Sequence, residues 1–295
     1  MGSFREAIAA AKARITQKSS LAGTRFGDLE YAVEGRGEAF MMLHGTGGGF
    51  DQGLRFAQGL ISNGFQVIAP SRFGYLRSDY PSDPSPQNQA DALVELLDRL
   101  GIDRLPVAGG SAGALPAAYF ALRHPDRCSH VILIVPAMNL TDRDPVEFTR
   151  VQRFVVGRLL TSDIWFWAAL RLAPNHLIGT LLATDPALLG TVSRSECERA
   201  NPILNELMPI SLRARGIAND GRTAGRPTAI DLSRIAVPTL VISAEDDRFG
   251  TAKTARMISE RVPSARLLMF STGGHIWLGH EEELSREVAA FSRQA

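Results

Sequence analysis

Ser111 lies in Gly109-Gly-Ser-Ala-Gly113, between a short apolar run (Val107, Ala108) and an Ala-rich segment with helical periodicity. G-x-S-x-G at a strand-to-helix junction is the context of a nucleophile elbow, a strained turn that projects the serine Oγ into open space. Only small neighbours let the two arms of such a turn approach, a demand the glycines meet. A serine hydroxyl is a weak nucleophile, so it needs a base within hydrogen-bond reach and an acid that orients the base. Two downstream segments offer them. Val241-Ile-Ser-Ala-Glu-Asp-Asp-Arg-Phe249 places carboxylates just past an apolar run, and Phe270-Ser-Thr-Gly-Gly-His275 places a histidine just past another. Ser111, Asp247 and His275 all fall at the C-terminal ends of predicted strands, where open α/β sheets put their sites. A lone histidine in a glycine loop is usually incidental, and an aspartate after a strand is often a helix cap. Three placements that agree with the elbow point instead to nucleophilic acyl transfer.

That chemistry also needs donors for a developing oxyanion. The backbone N–H of Ala112, directly after the nucleophile, is one. The second is expected from the loop His44-Gly-Thr-Gly-Gly-Gly-Phe-Asp51, at the N–H of Thr46 or its neighbour Gly45. No Gly-Lys-Ser/Thr follows this loop, so it does not read as a phosphate-binding loop. His124, His130, His176 and His280 show no metal-ligand spacing, and no metal and no cofactor are expected.

The elements that must position these groups follow an α/β rhythm. Residues 24–33 read as two strands joined by a turn at Gly27-Asp28. Residues 39–43, 65–69, 107–108, 131–135, 237–243 and 265–270 read as strands. Helices are predicted over 52–63, 89–100, 251–262 and 281–291, with Gly101 as a stop signal. Strands alternating with helices of this length imply right-handed crossovers and a mostly parallel central sheet flanked by helices, an α/β fold. Residues 138–231 break the rhythm with helices, prolines and no convincing strand, which predicts an inserted helical cap. Its tail, 219–227, is Gly- and Arg-rich and reads as mobile. The expected organisation is an N-terminal helix (1–20), a core (21–137 and 232–295) and the cap (138–231). The leading helix is amphipathic and either disordered, packed on the body or packed on a partner subunit.

Composition limits the alternatives. The 295 residues are 45% hydrophobic and 21% charged, with a formal net charge of +1 and no long run of one sign. Nothing in this suggests nucleic acid as a partner. No apolar stretch approaches a membrane span, and charges interrupt the N-terminus where a signal peptide needs an apolar core. Two cysteines, Cys128 and Cys197, suggest no disulfide framework. The expectation is a cytoplasmic enzyme acting on a small molecule, with homo-oligomerisation left open.

Taken together, His44-Gly-Thr-Gly-Gly-Gly, Gly109-Gly-Ser-Ala-Gly113, Ala244-Glu-Asp-Asp247 and Gly273-Gly-His275 resemble a capped serine hydrolase of the α/β-hydrolase fold. The order Ser…Asp…His is also that of this family. The branch includes esterases, lactonases and hydrolases of aromatic ring-cleavage products. The resemblance places the acid three residues after Ala244, which selects Asp247 over Asp246. Some relatives take it from the preceding core strand, where Asp142 and Asp144 would serve. It also makes His44 a structural residue of the oxyanion loop. Ser71-Arg-Phe-Gly-Tyr departs from the family, whose members often carry an acidic residue and Pro-Gly there. Arg72 could hold a substrate carboxylate or form a structural salt bridge. The function implied is cleavage of a carboxylic ester or lactone with a hydrophobic portion, with Trp165 and Trp167 of the cap lining its pocket or gluing cap to core. One alternative is a C–C bond hydrolase of a ring-cleavage product, with Arg72, Arg150, Arg153 or Arg171 as the carboxylate's partner. Another is a ligand-binding receptor on the same fold.

Overall fold

The computed structural model describes residues 3–16, 18–140 and 157–294. Asp142, Asp144, Arg150 and Arg153 therefore lie outside the described residues. Eight strands form one sheet: β1 (Ser20–Thr24), β2 (Gly27–Gly35), β3 (Glu38–Leu43), β4 (Phe65–Pro70), β5 (Leu105–Gly110), β6 (Cys128–Ile134), β7 (Thr239–Ala244) and β8 (Ala265–Phe270). Their spatial order is β1-β2-β4-β3-β5-β6-β7-β8. β2 runs antiparallel to β1 and β4, and every other pairing is parallel.

The two-residue period of a strand explains why the central strands read as unbroken apolar runs. Met41, Leu43, Val107, Val131, Leu133 and Val241 pack into one cluster, while Phe40, Met42, Ala108, Ile132, Leu240 and Ile242 pack into another. Alternate residues serve opposite faces, and both faces are covered. On the first face lie α4 (Pro86–Leu100), α5 (Ala114–Arg123) and α10 (Thr251–Arg261), contributing Leu93, Phe120 and Ile258. On the second lie α2 (Phe50–Phe56), α3 (Gln58–Ser62) and α11 (Glu281–Ser292), contributing Phe56, Leu60 and Val288. Ser85 caps α4 by accepting from Asn88 N–H at 3.4 Å, and Gly101 at φ 66° ends it.

Two local expectations change. The first hairpin turns at Arg25-Phe26, because Thr24 pairs with Gly27 and Gly23 with Asp28. Thr24 Oγ1 closes the turn by accepting from Phe26 N–H and donating to Gly27 O. The helix expected over 52–63 starts at Phe50 and is divided at Ala57.

Between β6 and β7 the described residues hold α6 (Asp163–Leu172), α7 (Pro174–Leu181), α8 (Arg194–Glu206) and α9 (Ala214–Ala224), with no strand among them. Phe166, Leu177, Leu182, Ile203 and Leu204 gather them around a third apolar cluster. The leading helix α1 (Phe4–Thr16) packs on this cluster through Ala11, Phe4 and Ile8. The Phe4 ring meets Trp167 edge-on at 5.8 Å, and Arg14 donates to the carbonyls of Glu206 and Met208.

Arg213 clips this helical segment to the sheet. It has no exposed surface, donates to Asp51 Oδ2 at 2.7 Å and to Glu206 O at 2.9 Å, and also reaches Gly48 O. Burial pushes the Asp51 carboxyl up, but the charge and hydrogen bonds of Arg213 outweigh it and hold the group below its ordinary value. Removing one partner of a buried pair leaves the other charge uncompensated. Arg213→Met should therefore lose about 3 kcal/mol in chemical denaturation. Because the folded-state value is lowered, Asp51's contribution is complete above the ordinary carboxylate range and disappears as pH falls through the lowered value. The stability gap between wild type and Asp51→Asn should be widest near neutral pH and narrow toward acid. A gap independent of pH would contradict this account.

Candidate active site

β5 delivers Ser111 at the middle of the sheet. The chain leaves Gly110 in an extended conformation, turns through Ser111 at φ 53° and enters α5 after a short 3-10 turn. A non-glycine residue in this left-handed region is uncommon and costs energy that the surroundings must hold. The glycines on either side are required by close approach. A Cβ on Gly109 would stand 2.2 Å from Gly113 O, and one on Gly113 would stand 2.5 Å from His44 O.

The loop after β8 brings His275 to this turn. Its Nε2 lies 2.8 Å from Ser111 Oγ, and its Nδ1 lies 2.8 Å from Asp247 Oδ2. Asp247 also accepts from Phe249 N–H at 2.8 Å and from the Thr251 hydroxyl. Burial pushes this carboxyl up, but the hydrogen bond and charge of His275, followed by the bonds from Thr251 and Phe249, hold it below its ordinary value. An ionised Asp247 keeps the proton on Nδ1, which leaves the Nε2 lone pair for the serine hydroxyl. The Phe249 ring packs edge-on against the imidazole at 4.8 Å. The adjacent Asp246 plays a different part. Its carboxylate accepts from the N–H groups of Gly273 and Gly274, at 3.2 and 2.8 Å, and so holds the histidine loop.

The glycine loop after β3 is held from several sides. His44 Nε2 accepts from Arg72 N–H at 2.9 Å, which puts the ring proton on Nδ1, facing Gly45 O. Burial, and then the charge of Arg72, drive His44 well below its ordinary value, so it is neutral. Gly45 N–H donates to Gln52 Oε1 at 2.9 Å, and Gly47 N–H donates to the Tyr75 hydroxyl at 3.3 Å. Gly45 therefore has no free donor to offer an oxyanion. Thr46 N–H has no acceptor among the described residues, and Ala112 N–H, in the first turn of a helix, has no intrahelical one.

Arg72 is buried and bidentate with Asp220 of α9, at 2.8 and 2.7 Å, and it also donates to the carbonyls of His44 and Gly45. Burial works against its charge, and Asp220 more than offsets this. Tyr75 Oη and Thr46 Oγ1 donate to the same carboxylate at 2.6 and 2.9 Å. Burial and Asp220 raise the Tyr75 hydroxyl well above its ordinary value, so it stays a donor. The Arg72 guanidinium is thus committed to protein partners.

A cavity of about 80 Å³ opens beside the turn, lined among others by Thr46, Gln89, Ala112, Leu115, Asn139 and Asp220. It holds several waters or one compact ligand group. Neither Trp165 nor Trp167 lines it; of the two roles the sequence left open, lining the pocket or joining cap to core, this cavity does not show the first. Phe166 takes the buried face of α6 with no exposed surface, and neighbours on a helix point about 100° away. Trp165 is 61% exposed, and Trp167 faces α1 with Arg171 stacked on it. The stretch expected to be a mobile tail is helical as far as Ala224 and carries Asp220, which sequence reasoning did not single out. It did not single out Gln52, Tyr75 or Thr251 either, nor the part Asp246 plays. Of these, only Thr251, a hydroxyl four residues past the acid at a helix start, has a local signature. No group of His, Cys, Asp and Glu among the described residues could hold a metal. No helix among them is long and apolar enough to cross a membrane.

A mostly parallel sheet with a serine elbow after β5 and a histidine after β8 is the architecture of the α/β hydrolases, and residues 38–165 match the family model of the α/β hydrolase fold. The chain has this fold. It is 28% identical over 257 residues to a 2-hydroxy-6-oxo-6-phenylhexa-2,4-dienoate hydrolase of Burkholderia cepacia, spanning 82% of each chain. An α/β hydrolase fold protein from Nakamurella multipartita superposes with a TM-score of 0.74 at 23% identity, over 93% of this chain and 99% of its own. An esterase from Exiguobacterium antarcticum superposes with a TM-score of 0.68 at 19% identity, over the same shares.

The elbow sets a test of local packing. Gly109→Ala drives a Cβ into the Gly113 carbonyl, where no flexible side chain can yield. It should destabilise the fold by more than about 3 kcal/mol or prevent soluble expression. Gly101→Ala meets nothing within 4 Å and carries only the cost of its φ of 66°, so it should shift the thermal midpoint by a few degrees.

Proposed function

We propose that the protein is a serine hydrolase of carboxylic esters or lactones that works through Ser111, His275 and Asp247. The observation that carries this is the continuous relay from Ser111 Oγ to His275 to Asp247, both links being 2.8 Å. Ser111 Oγ attacks the acyl carbonyl while His275 Nε2 takes its proton, and Asp247 orients the ring and stabilises the imidazolium. The N–H groups of Ala112 and Thr46 receive the oxyanion. His275 then protonates the leaving alcohol. Water, activated by the same nitrogen, releases the acid from the acyl-enzyme. In a lactone the leaving alcohol stays tethered, and the steps are the same. The helices between β6 and β7 act as a cap, a role supported by the part α9 takes in the cavity wall through Asn219, Asp220, Thr223 and Ala224.

The Burkholderia cepacia relative favours a second reading, hydrolysis of a C–C bond in a dienoate ring-cleavage product by the same three residues. Such a substrate carries a carboxylate, which calls for an uncompensated cation. Among the described residues of the cavity wall the one cation, Arg72, is neutralised by Asp220. Arg171, the other described candidate, lies on the α1 side with Trp167. This charge balance favours the neutral ester or lactone.

Turnover of p-nitrophenyl esters of graded acyl length separates the readings. Wild type should show a burst followed by steady hydrolysis. Ser111→Ala and His275→Ala should each lose roughly 10⁴-fold or more in kcat, and Asp247→Asn a comparable factor through the wrong tautomer. Cleavage of a 2-hydroxy-6-oxo-dienoate with no ester hydrolysis would establish the second reading in place of the first.

A further inference from the structure

Among the described residues, five buried side-chain polar atoms have no hydrogen-bond partner: Arg14 Nε, Gln89 Nε2, Asn139 Oδ1, Trp167 Nε1 and Arg213 Nε. The three on Arg14, Trp167 and Arg213 belong to residues that join the helices around the third apolar cluster to α1 and the core. The remaining two sit on residues that line the same cavity, next to Thr46 and Ala112. Gln89 and Asn139 are 4% and 8% exposed, so solvent does not satisfy them. Buried polar groups are nearly always paired, so these two amides leave hydrogen-bonding capacity for a bound group or an ordered water.

The partners these amides do have decide which atom of each is free. Gln89 Oε1 accepts from Phe73 N–H at 2.7 Å, which a nitrogen could not do, so the unpaired atom is the donor Nε2. Asn139 Nδ2 donates to Ala224 O at 3.1 Å, so its unpaired atom is the acceptor Oδ1. Two of the lining residues therefore carry one uncommitted donor and one uncommitted acceptor, both neutral.

We infer that Gln89 and Asn139 form a subsite for an uncharged substrate group that both accepts and donates a hydrogen bond, a hydroxyl or a carboxamide. This names the substrate class of the hydrolase site and rests on that reading of it. A carboxylate could accept from Gln89, but it would face the lone pairs of Asn139 Oδ1 and the Asp220 carboxylate. An ammonium could donate to Asn139, but it would face the Gln89 N–H groups and Arg72. A methyl group would leave both amides unpaired, which is how a polar site rejects an apolar isostere.

The test uses p-nitrophenyl esters matched in acyl length and ending in methyl, hydroxyl, carboxamide or carboxylate. For wild type, kcat/KM for the hydroxyl or carboxamide ester should exceed that for the methyl and carboxylate esters by about tenfold or more. Which of the two neutral polar ends is preferred identifies the ligand group. In Gln89→Glu, which keeps an acceptor for Phe73 N–H, and in Asn139→Ala, the ratio to the methyl ester should fall to near one. Each ratio is taken within one variant, so a loss of folded enzyme cancels. Equal rates for all four esters in wild type, or ratios unchanged in both variants, would overturn the subsite and leave the hydrolase reading standing. Those results are expected if an ordered water satisfies the two amides. Calorimetric binding of the same esters to Ser111→Ala separates the two claims. Selective binding of the neutral polar end without turnover by wild type would sink the hydrolase reading and keep the subsite, whereas binding without selectivity would overturn it.

Discussion

The site depends on a close approach of backbones at the end of β5. Ser111 takes a left-handed turn there, and the carbonyls of Gly113 and His44 come so near the flanking positions that a Cβ at Gly109 or Gly113 would collide with them. The turn is unfavourable in isolation, and it persists because both arms are anchored: β5 in the middle of a sheet covered on both faces, and α5 against α4 and the apolar cluster beneath them. A side chain held this way has little freedom to relax. The hydroxyl keeps its position relative to the loops after β3 and β8, and this turns three separate sequence segments into one site.

Charge organises the next layer. Arg72 and Asp220 are buried against each other, and the same carboxylate collects the hydroxyls of Tyr75 and Thr46. A buried pair of this kind is weak evidence for stability, since desolvation offsets much of the attraction. Its stronger consequence is geometric. Arg72 also holds the carbonyls of His44 and Gly45, so the position of α9 is coupled to the shape of the loop that bears Thr46. The neutral His44 fits this arrangement, because a second positive charge beside Arg72 would be costly at that depth.

The same pairing bears on the proposed substrate. The fold is shared by esterases and by hydrolases of dienoate products, and fold alone does not choose between them. The cavity wall is closer to the chemistry. Its described cation and anion cancel, and its unpaired groups are two amides. The proposed neutral ester or lactone rests on that balance, by the general rule that a buried charge needs a partner.

Patterns that are local in the chain were legible from the sequence. The central strands stand out because burial on both faces removes polar residues from them. The elbow stands out because its geometry admits only small residues two positions either side of the serine. Ser111, Asp247 and His275 were found at strand ends for the same reason, and the structure brings their side chains into hydrogen-bond contact. Adjacent aspartates were harder: consecutive side chains diverge, and only the folded loops decide that Asp247 meets the imidazole while Asp246 holds the backbone of Gly273 and Gly274. The aromatic pair Trp165 and Trp167 left two roles open, since hydrophobicity does not tell which side of a helix will face a cavity. Arg72 and Asp220 are 148 residues apart, and Gln89 comes from α4 while Asn139 comes from the segment after β6. Such partnerships have no period and no spacing. They arise from how the helices between β6 and β7 settle on the sheet, so tertiary packing alone determined them.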